Sequence, residues 1–239
     1  MSSYEVALKH REPVARDTVT LKFEKPAGFA FKAGQSLDLT LINPARTDAK
    51  GPKRALSIVS APYEEHLQVA TRVRDSVFKQ ALRDMPVGTR VQVEGPFGSM
   101  TLHGNRSRRG IFVAGGIGIT PFMSMLRQAA HDDLPHSLSL IYSNRRPEDA
   151  PFLAELEELA RRRRGTFQLV TTMTGAADPA WHGRVGTINA GLIESVRVPP
   201  AMPIFYVAGP PALVAAMRAV LNGMGVEDDD IRSEDFAGY

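Results

Sequence analysis

Apolar and polar side chains alternate in short runs through the first hundred residues, and turns rich in glycine and proline separate the runs. The alternating runs are Tyr4–Leu8, Val19–Phe23, Leu37–Leu41, Leu67–Val73 and Val91–Val93. A period of two residues is typical of strands that bury one face. One short helix is predicted among them, at Val77–Asp84. Many short strands with so little helix favour an antiparallel β-barrel.

The pattern changes after the polar segment Leu102–Arg109. Apolar runs typical of buried strands then alternate with segments typical of amphipathic helices, and this alternation predicts a doubly wound parallel sheet. We therefore predict two domains. Residues 1–104 form the antiparallel β-barrel, and residues 108–239 form the α/β domain that contains the parallel sheet.

Composition excludes several kinds of site. The 239-residue chain has no cysteine, so it forms no disulfide and no iron–sulfur cluster or zinc site with cysteine ligands. Its six histidines lack metal-ligand spacing, and no metal site is predicted. A net charge of +3 is too small to indicate nucleic-acid binding. The amino terminus does not resemble a signal peptide, and Ile111–Leu126 is too short for a membrane span, so we predict a soluble cytoplasmic protein without a membrane partner.

Three glycines interrupt an apolar stretch between a predicted strand and a predicted helix, at Gly115, Gly116 and Gly118. Such a turn lets a diphosphate approach the backbone and presents helix N–H groups to the anion. The spacing differs from the dinucleotide fingerprint G-x-G-x-x-G. Tight packing of the strand against the helix explains the glycines equally well, and only their place between the two elements favours a phosphate loop.

A second candidate is Arg54, in the segment Lys53–Ser57 and three residues before a serine. A guanidinium at the start of a strand can bind a phosphate through two hydrogen bonds. Taken alone, Arg54 is better interpreted as an ordinary surface arginine at a strand end.

The two segments together resemble the ferredoxin–NADP⁺ reductase superfamily, which pairs a flavin-binding antiparallel barrel with a nicotinamide-binding α/β domain. The family's barrel motif R-x-Y-S/T is matched by Arg54–Ser57, and its motif G-G-x-G-x-T/S-P by Gly115–Pro121. Further similar segments are VEGPFG, YSNRRPED, YVAGPPALV and EDFAGY, in this order along the chain. The resemblance covers essentially all of the chain.

The resemblance implies a flavin site in the barrel. Arg54 would bind the flavin phosphates, and Ser57 would form a hydrogen bond near flavin N5. Leu56 stands where the family has an aromatic residue on the isoalloxazine, so it can pack on the ring but offers no π-face. The family's second flavin segment is matched by Thr71, Arg72, Ser76, Val77 and Phe78. The alternative interpretation places Phe78 in the core and Arg72 on a solvated strand face.

The resemblance also implies a nicotinamide site in the α/β domain. The residues that would hold the dinucleotide are Gly115, Gly116, Gly118, Thr120, Pro121, Gly209 and Pro210. Ser143, Arg145 and Arg146 follow the second parallel strand, where the family reads the adenosine ribose. With no acidic residue among residues 142–146, these three suit a 2′-phosphate and favour NADPH over NADH. A solvated loop is the alternative interpretation.

An aromatic residue near the flavin is also implied at the end of the chain. Phe236 matches the E-x-F form that begins at Glu234, and Tyr239 matches the form that ends in a stacking tyrosine. We rank Phe236 first, and a frayed tail is the alternative. Ser57, Thr120 and Phe236 are thus the candidate catalytic residues.

The resemblance implies a flavoenzyme that transfers hydride from NAD(P)H to FAD, with FMN as the second choice of flavin. The chain lacks a cysteine-ligated cluster, so electrons would pass to an external acceptor, with ferredoxin or flavodoxin preferred. Two alternatives keep the same chemistry, with a small-molecule acceptor such as free flavin or a ferric chelate, or with an oxygenase as the partner. The third is a non-catalytic relay or regulatory subunit.

Overall fold

The computed structural model describes residues 3–175, 181–197 and 202–236. The chain divides into two compact units. The barrel unit contains Met1–Thr101 together with Thr120–Gln128, and the α/β unit contains Leu102–Ile119 together with Ala129–Tyr239. A helical segment from the middle of the chain therefore belongs to the barrel unit. Among the described residues, every helix is too short or too polar to cross a membrane.

The barrel unit contains six antiparallel strands and one helix, together with the helical segment Thr120–Gln128. The elements are β1 (Ser3–Ala15), β2 (Thr18–Glu24), β3 (Ser36–Leu41), β4 (Lys53–Ser57), β5 (His66–Arg72), α1 (Val77–Asp84) and β6 (Arg90–Phe97). The strand order is β4-β3-β6-β1-β2-β5. An antiparallel bridge between Ile58 and Val69 joins the two edges of this sheet. The predicted antiparallel barrel is confirmed.

Burial in β3 follows the predicted alternation, with Leu37, Leu39 and Leu41 facing the core. Full burial of a leucine side chain stabilises the fold by about 1.5–3 kcal/mol. The predicted alternation is wrong for β5, where all five residues from Leu67 to Thr71 are buried. At Gln68, polar partners accompany the burial, since Arg127 Nη1 donates to Gln68 Oε1 at 2.8 Å and Gln68 Nε2 donates to the Thr20 hydroxyl at 2.7 Å.

The α/β unit has an all-parallel sheet of six strands in the order β10-β9-β8-β7-β11-β12. The remaining elements in chain order are β7 (Gly110–Gly115), α2 (Thr120–His131), β8 (Leu138–Asn144), α3 (Leu153–Arg162), β9 (Phe167–Met173), β10 (Arg184–Val185), α4 (Ala190–Glu194), β11 (Ile204–Gly209), α5 (Pro211–Gly223) and β12 (Ile231–Asp235). Of α2, the residues up to Gln128 belong to the barrel unit. Short 3-10 turns lie at Gly116–Ile119, Pro147–Asp149 and Asp228–Asp230. The predicted parallel sheet is confirmed.

The centre of this sheet is fully buried, as parallel strands require. Every residue of β7 and β11 is buried. Helix α5 packs Val214, Met217 and Leu221 into the same core, at the spacing of one helical face. The order of the strands reverses between β7 and β11, since the chain adds strands first on one side of β7 and later on the other. Ligands of open α/β sheets bind at the carboxyl ends of the strands beside such a reversal.

A buried polar contact lies between His103 and Tyr206 in the α/β unit. The hydroxyl of Tyr206 accepts from the His103 backbone N–H at 2.8 Å and lies 2.8 Å from His103 Nδ1. His103 Nε2 lies 3.0 Å from the Arg108 carbonyl, which can only accept. Nε2 therefore carries the hydrogen, and Nδ1 accepts from Tyr206. Burial lowers the pKa of His103, so the neutral ring is favoured.

Candidate functional site

The carboxyl ends of the parallel strands bring the predicted nicotinamide residues into one row. Gly115 pairs in register with Ser143 on β8. Ala114 pairs with Ala208 on β11, so Gly209 follows beside Gly115. The row therefore lies at the reversal point of the sheet, where the strand order favours a ligand.

Gly118 and Gly209 allow the loops after β7 and β11 to touch. A Cβ on Gly118 would lie 2.2 Å from the Ala208 carbonyl oxygen and 2.6 Å from Gly209 Cα. Gly209 has φ +152°, and a Cβ there would lie 3.1 Å from the backbone N and O of Gly115. Packing between the two loops thus accounts for both glycines without any ligand.

The other two glycines of the loop have different requirements. A Cβ on Gly115 would lie 2.5 Å from Leu213 Cδ2 and 3.1 Å from Pro210 Cδ. Gly116 has φ +53°, in the left-handed region that favours glycine. The first gives space to helix α5, and the second turns the chain into the 3-10 turn Gly116–Ile119.

Tyr142 connects residues 115–119, which we call the glycine loop, to the next loop of the α/β unit. The sequence analysis did not single out Tyr142. Its side chain is fully buried on β8. The hydroxyl lies 3.2 Å from the Gly116 carbonyl and 3.1 Å from the Pro151 carbonyl, so it donates to this pair of acceptors. A buried tyrosine needs such a partner. The tyrosine in the segment YSNRRPED was the available signal.

The residues predicted to contact the adenosine ribose lie at the end of β8. Ser143 is half-buried, whereas Arg145 and Arg146 are exposed. The Arg145 carbonyl accepts from the Gly175 N–H at 2.7 Å, which fixes the backbone beneath the two guanidinium groups. Arg146 Nη1 lies 3.7 Å from Glu148 Oε1. Both arginine side chains are thus placed to contact a ligand from solvent.

The end of the described chain joins the same edge. The Phe236 N–H donates to the Gly209 carbonyl at 2.9 Å, directly after β12, and its side chain is half-buried. Up to Phe236, the alternative of a frayed tail is therefore wrong. Tyr239 lies outside the described residues. Glu234 pairs in register with Ala208, and burial, followed by the charge of Asp235, raises its pKa.

Arg54 in the barrel unit is held by several partners. It is half-buried at the start of β4, and its guanidinium carbon lies 5.1 Å from the centre of the Phe78 ring. Its Nη1 donates to the carbonyls of Lys50, Gly51 and Lys53 at 2.7–2.9 Å. Its Nη2 contacts Asp48 Oδ1 at 2.6 Å. These contacts fix the guanidinium in one place.

Four basic residues, which we call the cationic cluster, lie near the amino end of α1. They are Lys50, Arg54, Arg74 and Lys79. Burial lowers the pKa of Lys79, and the charges of the other three lower it further. Ser76 caps the helix by accepting from the Lys79 N–H at 3.4 Å. Helix N–H groups, a hydroxyl and clustered cations form a donor set that fits a diphosphate.

The remaining predicted flavin residues have mixed positions. Ser57 and Thr71 are buried at 7% and 3% exposure, and Leu56 is partly buried and packs on the barrel core. Phe78 is 2% exposed within the same core, as its alternative interpretation proposed. The three others, Arg72, Val77 and Ser76, are half-buried. Thr120 and Pro121 begin α2 and are buried in the barrel unit.

Comparison with known proteins agrees with this geometry. A family model described as "Oxidoreductase NAD-binding domain" matches residues 112–219. The chain is 31% identical over 240 residues to "Ferredoxin--NADP reductase B" of Sorangium cellulosum, covering 96% of this chain and 94% of that protein. The chain belongs to the ferredoxin–NADP⁺ reductase family. The resemblance that the motifs indicated is therefore confirmed.

Three further proteins illustrate the range of matches. A ferredoxin NADP⁺ reductase from Neisseria gonorrhoeae, solved with bound FAD and NADP, shares the fold with a TM-score of 0.82 at 24% identity, covering 98% of this chain and 99% of that one. The propane 2-monooxygenase reductase component of Rhodococcus jostii is 27% identical over 94% of this chain. A Fusarium oxysporum nitrate reductase is 33% identical over 66% of it. This chain spans only 61% and 19% of those two relatives.

Proposed function

We propose that this protein is an FAD-dependent NAD(P)H oxidoreductase that passes electrons to an external acceptor. The observation that carries the proposal is the presence, in one chain of the ferredoxin–NADP⁺ reductase family, of a cationic cluster in the barrel unit and a glycine loop at the reversal point of the α/β sheet. When bound, FAD accepts a hydride from NAD(P)H and can release the electrons singly.

The cationic cluster supports diphosphate binding by the barrel. Arg54 and Lys79 supply positive charge beside the amino end of α1, and Ser76 adds a hydroxyl at its cap. The first turn of α1 itself contains no acidic residue. Ser57 and Leu56 follow Arg54 on β4, and we assign them to the flavin ring. The flavin is FAD in this proposal, with FMN as the second choice.

The glycine loop supports binding of the nicotinamide dinucleotide by the α/β unit. The loop contacts between Gly118 and Gly209 fix two backbone segments side by side at the sheet edge. Thr120 and Pro121 start helix α2, which continues directly from the 3-10 turn Gly116–Ile119. We assign the diphosphate to this turn and place Thr120 and Pro210 at the nicotinamide end. These residues bind, orient and exclude water, because the transfer itself needs two rings held together.

We assign NADPH rather than NADH as the preferred coenzyme. Arg145 and Arg146 are exposed at the end of β8, beside Ser143, and suit a 2′-phosphate. Arg145→Gln should raise the Kd for NADPH about tenfold and leave that for NADH within about twofold. Titration of wild type and variant with both coenzymes measures this. Arg184→Gln, on exposed strand β10, is the control and should change neither.

The electron acceptor is a ferredoxin or flavodoxin in this proposal, supported by the similarity to "Ferredoxin--NADP reductase B" over 94% of that protein. The second candidate acceptor is an oxygenase, which the similarity to a propane 2-monooxygenase reductase component favours. Reduction rates with purified ferredoxin, flavodoxin, free flavin and a ferric chelate distinguish the acceptors. The cytoplasmic location stays a prediction from sequence.

The test of the proposed activity is reconstitution followed by anaerobic reduction. Protein incubated with FAD and dialysed should remain yellow, and NADPH should bleach its flavin absorbance faster than NADH at equal concentration. A colourless protein after reconstitution would overturn the flavin assignment. If calorimetry shows that neither NADPH nor NADH binds, a relay or regulatory subunit is favoured instead.

A further inference from the structure

The carboxylate of Asp48 already contacts two residues assigned to the flavin phosphates. Its Oδ1 lies 2.6 Å from Arg54 Nη2, and its Oδ2 accepts from the Ser76 hydroxyl at 3.4 Å. The Lys50 N–H also donates to Oδ1 at 3.0 Å. Asp48 thus occupies donors of three kinds, a guanidinium, a hydroxyl and a backbone amide. A phosphate group uses the same donors.

The charges show why a carboxylate is stabilised there. The hydrogen bond from Arg54 is the largest influence that lowers the pKa of Asp48, so this side chain is ionised at neutral pH. It pairs with Arg54, one of the basic groups whose charges, after burial, lower the pKa of Lys79. Asp48 therefore favours the folded cationic cluster in the absence of another anion.

We propose that Asp48 is an internal competitor of the flavin diphosphate, lowering flavin affinity by occupying the phosphate donors of Arg54 and Ser76. The inference rests on the proposed flavin site and adds a residue that opposes binding there. A diphosphate and a carboxylate that share these donors repel each other, and one must give up contacts for the other to gain them. Removal of the Asp48 charge therefore has two effects of opposite sign.

The test is Asp48→Asn, which removes the charge, keeps one acceptor oxygen and replaces the other by an amide NH2. Equilibrium dialysis should give a Kd for FAD about five- to tenfold lower than that of wild type, while the melting temperature without added flavin falls. A residue with a purely structural role would lower both affinity and melting temperature. Asp48→Glu retains the charge and should keep the affinity near that of wild type.

A matched control is Asp84→Asn at the other end of α1, where Asp84 pairs with Arg83 at 2.7 Å. Helix α1 is about 12 Å long, longer than the screening length of physiological salt, so this variant should leave the Kd within about twofold. A Kd for Asp48→Asn that is unchanged or higher would overturn the proposal.

Inorganic pyrophosphate separates this inference from the proposed function. Heteronuclear NMR titration of flavin-free protein should show tighter pyrophosphate binding by Asp48→Asn than by wild type, and FAD should displace the ion. If wild type binds pyrophosphate but never FAD, the flavin assignment fails while the competition by Asp48 is still measured. Equal pyrophosphate affinities in both proteins would overturn the role of Asp48.

Discussion

The two proposed cofactor sites differ in what builds them. The site in the barrel unit uses side chains, namely the cationic cluster near the amino end of α1, in which Arg54 pairs with Asp48. The α/β unit uses the backbone, since Gly115, Gly118 and Gly209 allow two loops to touch at the sheet edge. One site is defined by charge and the other by the absence of side-chain atoms.

This contrast predicts different responses to substitution. A charge cluster can lose one member and keep its geometry, so its affinity should change gradually and depend on salt. At Gly118, by contrast, an added Cβ would lie closer to backbone atoms than van der Waals distance, so the chain would have to move. Substitutions in the α/β loop should therefore affect folding first, and substitutions in the barrel cluster should affect binding first.

Gly118→Ala should give the largest effect. The new Cβ would lie 2.2 Å from the Ala208 carbonyl oxygen and 2.5 Å from its carbon, and backbone atoms cannot rotate away as a side chain would. We expect the free energy of unfolding to fall by about 3 kcal/mol or more, measured by urea denaturation.

The matched control is Gly223→Ala in the same unit. Gly223 ends α5, and a Cβ there would meet open space. Alanine has the higher helix propensity, so this variant should be neutral or more stable by about 0.5–1 kcal/mol. Equal stability of both variants would contradict the account of the glycine loop.

Arg54→Ala should give the second-largest effect. It should weaken FAD binding more than it lowers the free energy of unfolding. Loss of a charge-assisted phosphate contact should weaken FAD binding by roughly 1.5–3 kcal/mol. Flavin retained after dialysis, read by absorbance, measures it. Arg90→Ala is the control, because Arg90 pairs with Glu5 on an exposed part of the same barrel. Unchanged flavin occupancy in Arg54→Ala would remove this residue from the site.

Much of this organisation follows from the sequence because it depends on local patterns. The alternating runs fixed the barrel strands, and the glycine and Y-V-A-G-P segments fell at the ends of adjacent parallel strands, where topology brings them together. Strand β12 was not predicted because its sequence IRSED is mostly polar. It forms through its pairing with β11 at the edge of the sheet. Strand β10 is only two exposed residues long, and α4 only five residues.

Contacts between distant residues could not be predicted in this way. The bond between Asp48 and Arg54 depends on how the loop before β4 folds back, which no periodicity records. The hydrogen bond from Tyr142 on β8 to the Gly116 carbonyl joins residues 26 apart. The hydrogen bond from Arg127 to the buried Gln68 of β5 joins residues 59 apart.

Tyr206→Phe tests a contact remote from either loop or cluster and should give the smallest effect. The buried His103 N–H and Nδ1 would lose their shared partner, at a cost of about 1–2 kcal/mol. The pKa of His103 is lowered in the fold, so its contribution to stability is complete above its ordinary value of 6.5 and is lost as pH falls below it.

In the variant, protonation of Nδ1 no longer displaces a hydroxyl donor, so the loss of stability on acidification should be smaller than in wild type. Urea denaturation at about pH 7.5 and about pH 5.5 measures the difference. Identical pH dependence in both proteins would contradict the hydrogen-bond assignment. Flavin and coenzyme binding near neutral pH should be unchanged.

The central claim is that the barrel's charge cluster and the α/β glycine loop hold two cofactors that exchange a hydride. The most direct measurement mixes FAD-loaded protein with NADPH under anaerobic conditions and follows the flavin absorbance. The account predicts rapid bleaching, slower with NADPH carrying deuterium at the transferred position. Tight binding of both FAD and NADPH with no bleaching would contradict it.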